Sequence, residues 1–129
     1  MDEYRYKDTL VGLRIQVIAP GSVPVTAGKE PLQMVTLKHP AGAYLKAHAH
    51  TPISRTTDQL QECLIVKKGA ASIDLYGPAP EYVKFDSVSL AVGDVFILMN
   101  GGYGIHIVED AELIEVKNGP FVEDKYLIE

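Results

Sequence analysis

His48 and His50 stand one residue apart in the stretch AYLKAHAH. In an extended strand, residues i and i+2 project from the same face. Two imidazoles so placed can share one ion, and histidine is the commonest ligand of intermediate divalent metals. The pair alone is a weak signal, because two solvent-facing histidines on a strand spell the same letters. Arg55 follows in TPISRTTDQLQ and is that stretch's only strong anion-binding group. Its planar guanidinium suits a carboxylate or phosphate, held bidentately where geometry allows; a solvated loop arginine is the alternative. Tyr44 and Lys46 share the face of His48, and Ser72, Asp74 and Tyr76 share another face further on. Depending on register, these groups line a pocket or lie on the outer face. His39, before Pro40, reads as a turn residue.

The elements that must position these side chains are strands. Apolar residues recur with period two, as in VGLRIQVIAP, where Leu13, Ile15 and Val17 alternate with Arg14 and Gln16. LQMVTLKHP is a short β-rich run ended by Pro40, and AYLKAHAH is read as a strand. ECLIVKKG has the apolar middle of a strand covered on both sides, and AASIDLYG alternates again. SVSLAVGDVFILMNGG predicts a strand, a turn at Gly93-Asp94 and a second strand; GIHIVEDAELIEVKNGP predicts two more around Glu109-Asp110. Gly and Pro punctuate the chain at strand-sized intervals, which points to a β-sandwich or barrel. VIAPGSVPVTAGKEP reads as a surface loop, and TTDQLQE suffices for one helical turn at most. The tail FVEDKYLIE carries Phe121, Tyr126, Leu127 and Ile128, so it is expected to pack on its own barrel or on a partner subunit.

With 129 residues the chain suits one domain, and its 47% apolar content can supply a core. A net charge of −5 argues against nucleic acid as the main partner, since phosphate neutralisation needs clustered Lys and Arg. Lys67-Lys68 is the only adjacent basic pair and reads as a solvated strand end. The single cysteine, Cys63, excludes an internal disulfide, fits a cytoplasmic setting and reads as a small buried hydrophobe. Met1-Asp2-Glu3 is acidic with no apolar run behind it, so no signal peptide is expected. No apolar span is long enough to cross a membrane.

Several of these residues together resemble the two sequence motifs of the cupin family. Gly42, His48, His50, Glu62 and Gly69 fill the first motif, with five residues between Gly42 and His48 and six between Glu62 and Gly69. The second begins at Gly93 in GDVFILMNGGYGIH; Met99 stands where the family has proline, and Gly101 fits the later glycine. The resemblance implies an all-β, cupin-type double-stranded β-helix, a jelly-roll barrel, with 1–129 as a single cupin domain and the strands of the two motifs side by side. It also implies a metal site. His48, His50 and His106, with Glu62, would hold a divalent transition metal (Mn, Fe, Ni, Co or Zn) with a position open to substrate. The alternative is a metal-free pocket in which Glu62 pairs with Arg55 or Lys46.

Two departures from the family pattern bear on the site. The gap from His50 to Glu62 is eleven residues, longer than is usual in the family, and Gly104 occupies the place of the family's last histidine. His106 lies two residues on, an even shift that in a regular strand keeps it facing the barrel interior, where it stands in for the missing ligand. A bulge at Gly101-Gly102 would reset the register instead. The long gap places Arg55 near the barrel mouth. Tyr103 is a proton donor there or a rim aromatic.

The segments RTTDQLQECLIVKKGAASIDLYG and GDVFILMNGGYGIHIVEDAELIEVKNGP are further similar to small cupins of bacterial surface-polysaccharide and nucleotide-sugar pathways. That similarity implies an enzyme of isomerase or epimerase type acting on a small sugar-related or other polar anionic substrate. Arg55, Tyr44, Lys46 and Tyr76 would bind it, and His106 and Tyr103 would move a proton. An iron-dependent dioxygenase, a non-catalytic binder and a metal-free epimerase (His48 or His50 as base, Tyr103 as acid) are the other readings. A homodimer is expected on the same ground.

Overall fold

The computed structural model of the chain describes residues 1–129. Eight strands and no helix make up the molecule: β1 (Asp2–Tyr6), β2 (Thr9–Ile15), β3 (Gly21–Pro24), β4 (Val35–Lys38), β5 (Glu62–Tyr76), β6 (Lys84–Leu90), β7 (Val95–Leu98) and β8 (Gly102–Lys117). No helix is long and apolar enough to cross a membrane. Six strands form one strongly curled antiparallel half-barrel, and β3 and β4 form a separate hairpin. β5 is the spine. Along one side it pairs first with β7 and then with β6; along the other it pairs with β8 over its full length. β2 and β1 extend the sheet beyond β7.

Alternation puts the core on one face. Val11, Leu64, Val66, Ala71, Ile73, Leu75, Val88, Leu90, Phe96 and Leu98 are buried together on the concave side. Leu13, Ile97 and Met99 form a smaller cluster on the opposite side, under Val25, Leu32 and Met34 from the segment that carries the β3–β4 hairpin. Leu64 and Val66 have even numbers, while Ala71, Ile73 and Leu75 have odd ones. Register shifts between Val66 and Ala71 reconcile them: the strand bulges, and its alternation changes parity while the apolar side chains stay on one face. Gly69 makes the bulge possible. Its φ is +76°, and a Cβ there would collide with the backbone carbonyl of Asp110 on β8. Gly69→Ala is therefore expected to cost at least about 1–3 kcal/mol of stability, read as a lower urea midpoint.

Several sequence expectations are revised. AYLKAHAH is no strand: residues 39–61 contain no strand, and every residue from His39 to Asp58 is exposed. Alanines alternating with His and Lys offer too little apolar area to hold a strand on this sheet. ECLIVKKG and AASIDLYG are one strand, β5, and GIHIVEDAELIEVK is one strand, β8, because bulges bend them instead of turns breaking them. Lys67 and Lys68 are exposed as expected, but at the bulge and not at a strand end. The expected loop at VIAPGSVPVTAGKEP contains β3, which tolerates Pro24 as its last residue. The Gly93-Asp94 turn stands where expected, with Asp94 accepting from the Ala91 amide at 2.8 Å.

The two ends of the arm formed by residues 39–61 differ. Its root is fixed by Gln61, which is fully buried. The Gln61 side chain donates to Glu30 (2.8 Å) and to the Met99 carbonyl (3.2 Å) and accepts from the Leu32 amide (3.1 Å). Asn118 accepts from the Gln61 amide at 2.8 Å and donates to the Gln59 carbonyl at 3.0 Å. Beyond Thr57 nothing comparable holds the arm. The tail after Asn118 leaves Phe121, Val122, Tyr126 and Leu127 exposed, although Tyr126 stacks on Tyr82 at 5.4 Å and Ile128 reaches Gly102.

Cys63 is buried, as its apolar surroundings in the sequence imply, and burial pushes its thiol up to about 11. The thiolate is the reactive form. Iodoacetamide at neutral pH is expected to leave Cys63 unmodified in the folded protein and to label it rapidly once urea unfolds the chain, as mass spectrometry would show.

Candidate functional site

The concave face carries a polar cluster beside its apolar core. Antiparallel partners share a face, so the register assigns each member. Glu62 lies opposite Leu98 and Lys117, Glu115 lies opposite Leu64, and Tyr103 lies opposite Leu75. Their apolar partners are all core residues, so the four polar side chains emerge on the core side. The sheet curls enough that Tyr103 and Glu115, twelve residues apart on β8, meet: the phenol donates to Glu115 at 2.7 Å. Lys117 lies 3.3 Å from the other oxygen of Glu115 and 3.9 Å from Glu62.

The electrostatics of the cluster set its chemistry. Burial, then hydrogen bonding to Glu115 and Glu62, raises the Tyr103 phenol far above its ordinary range. Near neutrality it is therefore a fully protonated donor. Hydrogen bonding to Glu115 also raises Lys117, which stays an ammonium. One phenol, two glutamates and one lysine thus lie together on the concave face. Such a set can donate a hydrogen bond to a substrate oxygen and accept a proton from a neighbouring carbon.

The expected metal donors do not come together. His48 and His50 are close, with ring centroids 5.3 Å apart, but they sit on the exposed arm. Glu62 is on the concave face. His106 is on the other face, opposite Ser72 on β5. Its Nε2 lies 2.6 Å from Asp74 Oδ2, and Lys84 holds the other Asp74 oxygen at 3.2 Å. The His106 contact, more than Lys84, draws the Asp74 carboxyl below its usual range. No three His, Cys, Asp or Glu side chains are grouped to hold one ion. The set His48, His50, Glu62 and His106 does not fit a single coordination sphere as the chain is arranged.

The pairing explains why the even shift from Gly104 misled. Gly104 itself faces the outer side, opposite Asp74, so His106 does too, while Tyr103, Ile105 and Ile107 face the core side. The remaining expected substrate groups are scattered. Tyr44 is exposed and accepts from the Ala47 amide at 3.3 Å; Lys46 is exposed and contributes only its carbonyl, to His48. Arg55 is exposed and bonds only to the Ile53 carbonyl, at 3.3 Å. Tyr76 is on the outer face with Ser72 and Asp74. Glu62 pairs with Lys117, not with Arg55 or Lys46. His39 meets Ser22 at 3.0 Å beside the β3–β4 hairpin.

Glu115 and Lys117 belong to neither motif in the sequence. The available signal was Glu-Val-Lys at alternate positions, which places two charges on one face of a strand whose other face carries Ile114 and Val116. Two shallow surface depressions lie elsewhere, one beside Gln16, Val17, Ile18, Leu37 and Lys38, another beside Leu32, Met34, Cys63 and Val116. They are largely apolar and lack paired ionisable groups. No family model, curated protein or solved structure matches the chain.

Proposed function

We propose that the protein is an enzyme of isomerase or epimerase type on a jelly-roll half-barrel, acting on a small, polar, sugar-related carbonyl compound. The observation that carries this reading is the Tyr103–Glu115 hydrogen bond, at 2.7 Å on an open concave face, with Glu62 acting on the same phenol. A substrate carbonyl oxygen that displaces Glu115 as the phenol's acceptor would be polarised by that hydrogen bond. A carboxylate, Glu62 or the released Glu115, would accept the proton from the adjacent carbon, giving an enolate held by the Tyr103 hydroxyl. Return of a proton to the other face of that carbon, or to its neighbour, would complete epimerisation or isomerisation. Lys117 would hold the negative charge as it moves among these oxygens.

The test is proton exchange. Keto-sugars and keto-sugar nucleotides, incubated with the protein in deuterated water, should lose the α-proton NMR signal and accumulate the isomer. Binding without exchange would establish a non-catalytic binder instead. Neither binding nor exchange across the panel would sink the reading.

One contact favours a second reading. The two imidazoles on the arm, 5.3 Å apart, offer half of a site for a divalent transition metal. On that reading the purified protein retains such a metal and His48→Ala loses it, by elemental analysis, while His106→Ala, whose partner is Asp74, retains it.

A further inference from the structure

The surface of the chain is too large for a molecule that works alone. It exposes 9079 Å² at 14.1 kDa, whereas a compact monomer of that mass exposes about 6,700 Å². The excess is about 2,300 Å² on the same scaling. The arm before β5, exposed from His39 to Asp58, contributes to it, as do the tail after Asn118 and β8, whose outer edge has no partner along 16 residues. Ile105 and Ile107, on the core side of β8, are 41% and 57% exposed, and on the arm Tyr44 and Ile53 are 76% and 69% exposed. An unpaired edge of this length is a template for another chain.

We infer that the protein is a homodimer in which the arm of each copy lies along the free edge of β8 in the other and roofs its concave face. Area supports a second copy as the occupant. If each chain withdraws its excess, the two bury about 4,600 Å² together, within the range of obligate dimers. Charge supports the pairing of arm with β8. The arm carries Lys46 and Arg55 against one acid, Asp58, whereas β8 carries Glu109, Asp110, Glu112 and Glu115 against one base, Lys117. Pairing β8 with its own copy would instead set Glu109 and Asp110 against each other. Reciprocal exchange also closes on itself, as a two-fold interface must. It would bring the partner's arm, with its arginine and histidine pair, over the Tyr103 cluster. That consequence rests on the function proposed above, whereas the exchange itself does not.

Cysteine pairs test it without reference to turnover. In a Cys63→Ser background, Ala49→Cys is placed on the arm of one tagged chain and Val108→Cys on β8 of another. The two chains are co-expressed and mildly oxidised. The expected result is a disulfide joining the two tags, together with a wild-type sedimentation mass twice that of the chain. Ala49→Cys against Val17→Cys, an exposed position off the proposed path, should stay unlinked. An intramolecular bond in the chain bearing both Ala49→Cys and Val108→Cys, with a monomer in sedimentation, would show the arm closing on its own sheet and overturn the proposal. A monomer with no crosslink at all would overturn it too.

Discussion

Tyr103→Phe is expected to lower turnover by about 10²- to 10⁴-fold, the range for loss of a positioned acid, while leaving the protein folded. Phenylalanine keeps the ring that packs on the concave core and removes only the hydroxyl. Glu115 retains Lys117 at 3.3 Å, so its charge is not stranded. The loss should therefore fall on kcat and spare KM. Retention of full activity would remove Tyr103 from the chemistry. The same variant has a signature in pH. An unfolded tyrosine titrates near about 10, and the folded phenol titrates higher because burial and two carboxylates disfavour the phenolate. As pH rises past about 10, the unfolded chain loses its proton first and is favoured. The stability linked to Tyr103 is thus fully present below that pH and is lost as pH climbs toward the folded value. Melting temperatures measured from about pH 9 to about pH 11 should fall more steeply for the wild type than for Tyr103→Phe.

Phe96→Ala should be the most damaging single change to the fold. Phe96 is fully buried at the centre of the concave core, 6.2 Å from the Tyr4 ring, and Gly12 leaves the space its ring occupies. Truncation of a buried phenylalanine costs about 3–5 kcal/mol. A domain of this size has only about 5–15 kcal/mol in total. In urea the midpoint should drop sharply with little change in slope. A neighbouring control, Val92→Ala on the exposed turn before β7, should shift the midpoint far less. Equal shifts for the two variants would mean that the core is not where the burial places it.

The alternation of apolar residues located most of the strands because burying one face of a sheet imposes period two. It could not reveal the bulge in β5, which depends on what Gly69 meets across the sheet. Nor could it make a strand of AYLKAHAH, where alanines offer little to bury. His106 shows two sequence signals in conflict. Counting from a family motif turned it inward, yet GIHIV already places Ile105 and Ile107 on one side and His106 on the other. The local apolar pattern matches the observed face: Ile105 and Ile107 lie on the core side with Tyr103, and His106 lies on the other beside Asp74. Tyr103 was identified beside that motif, whereas its partners Glu115 and Lys117 needed the curl of β8 to bring its two ends together.

The parity change in β5 has a consequence for how this sequence can vary. Between Val66 and Ala71 the strand behaves like a message with a reading frame. Substitutions there alter single letters, but loss of one residue would shift everything downstream by one place. Ser72, Asp74 and Tyr76 would then be turned into the core, and Ile73 and Leu75 into water. Length is thus fixed within those few residues, although Lys67 and Lys68 are exposed. The arm before Gln61 has no such frame to keep.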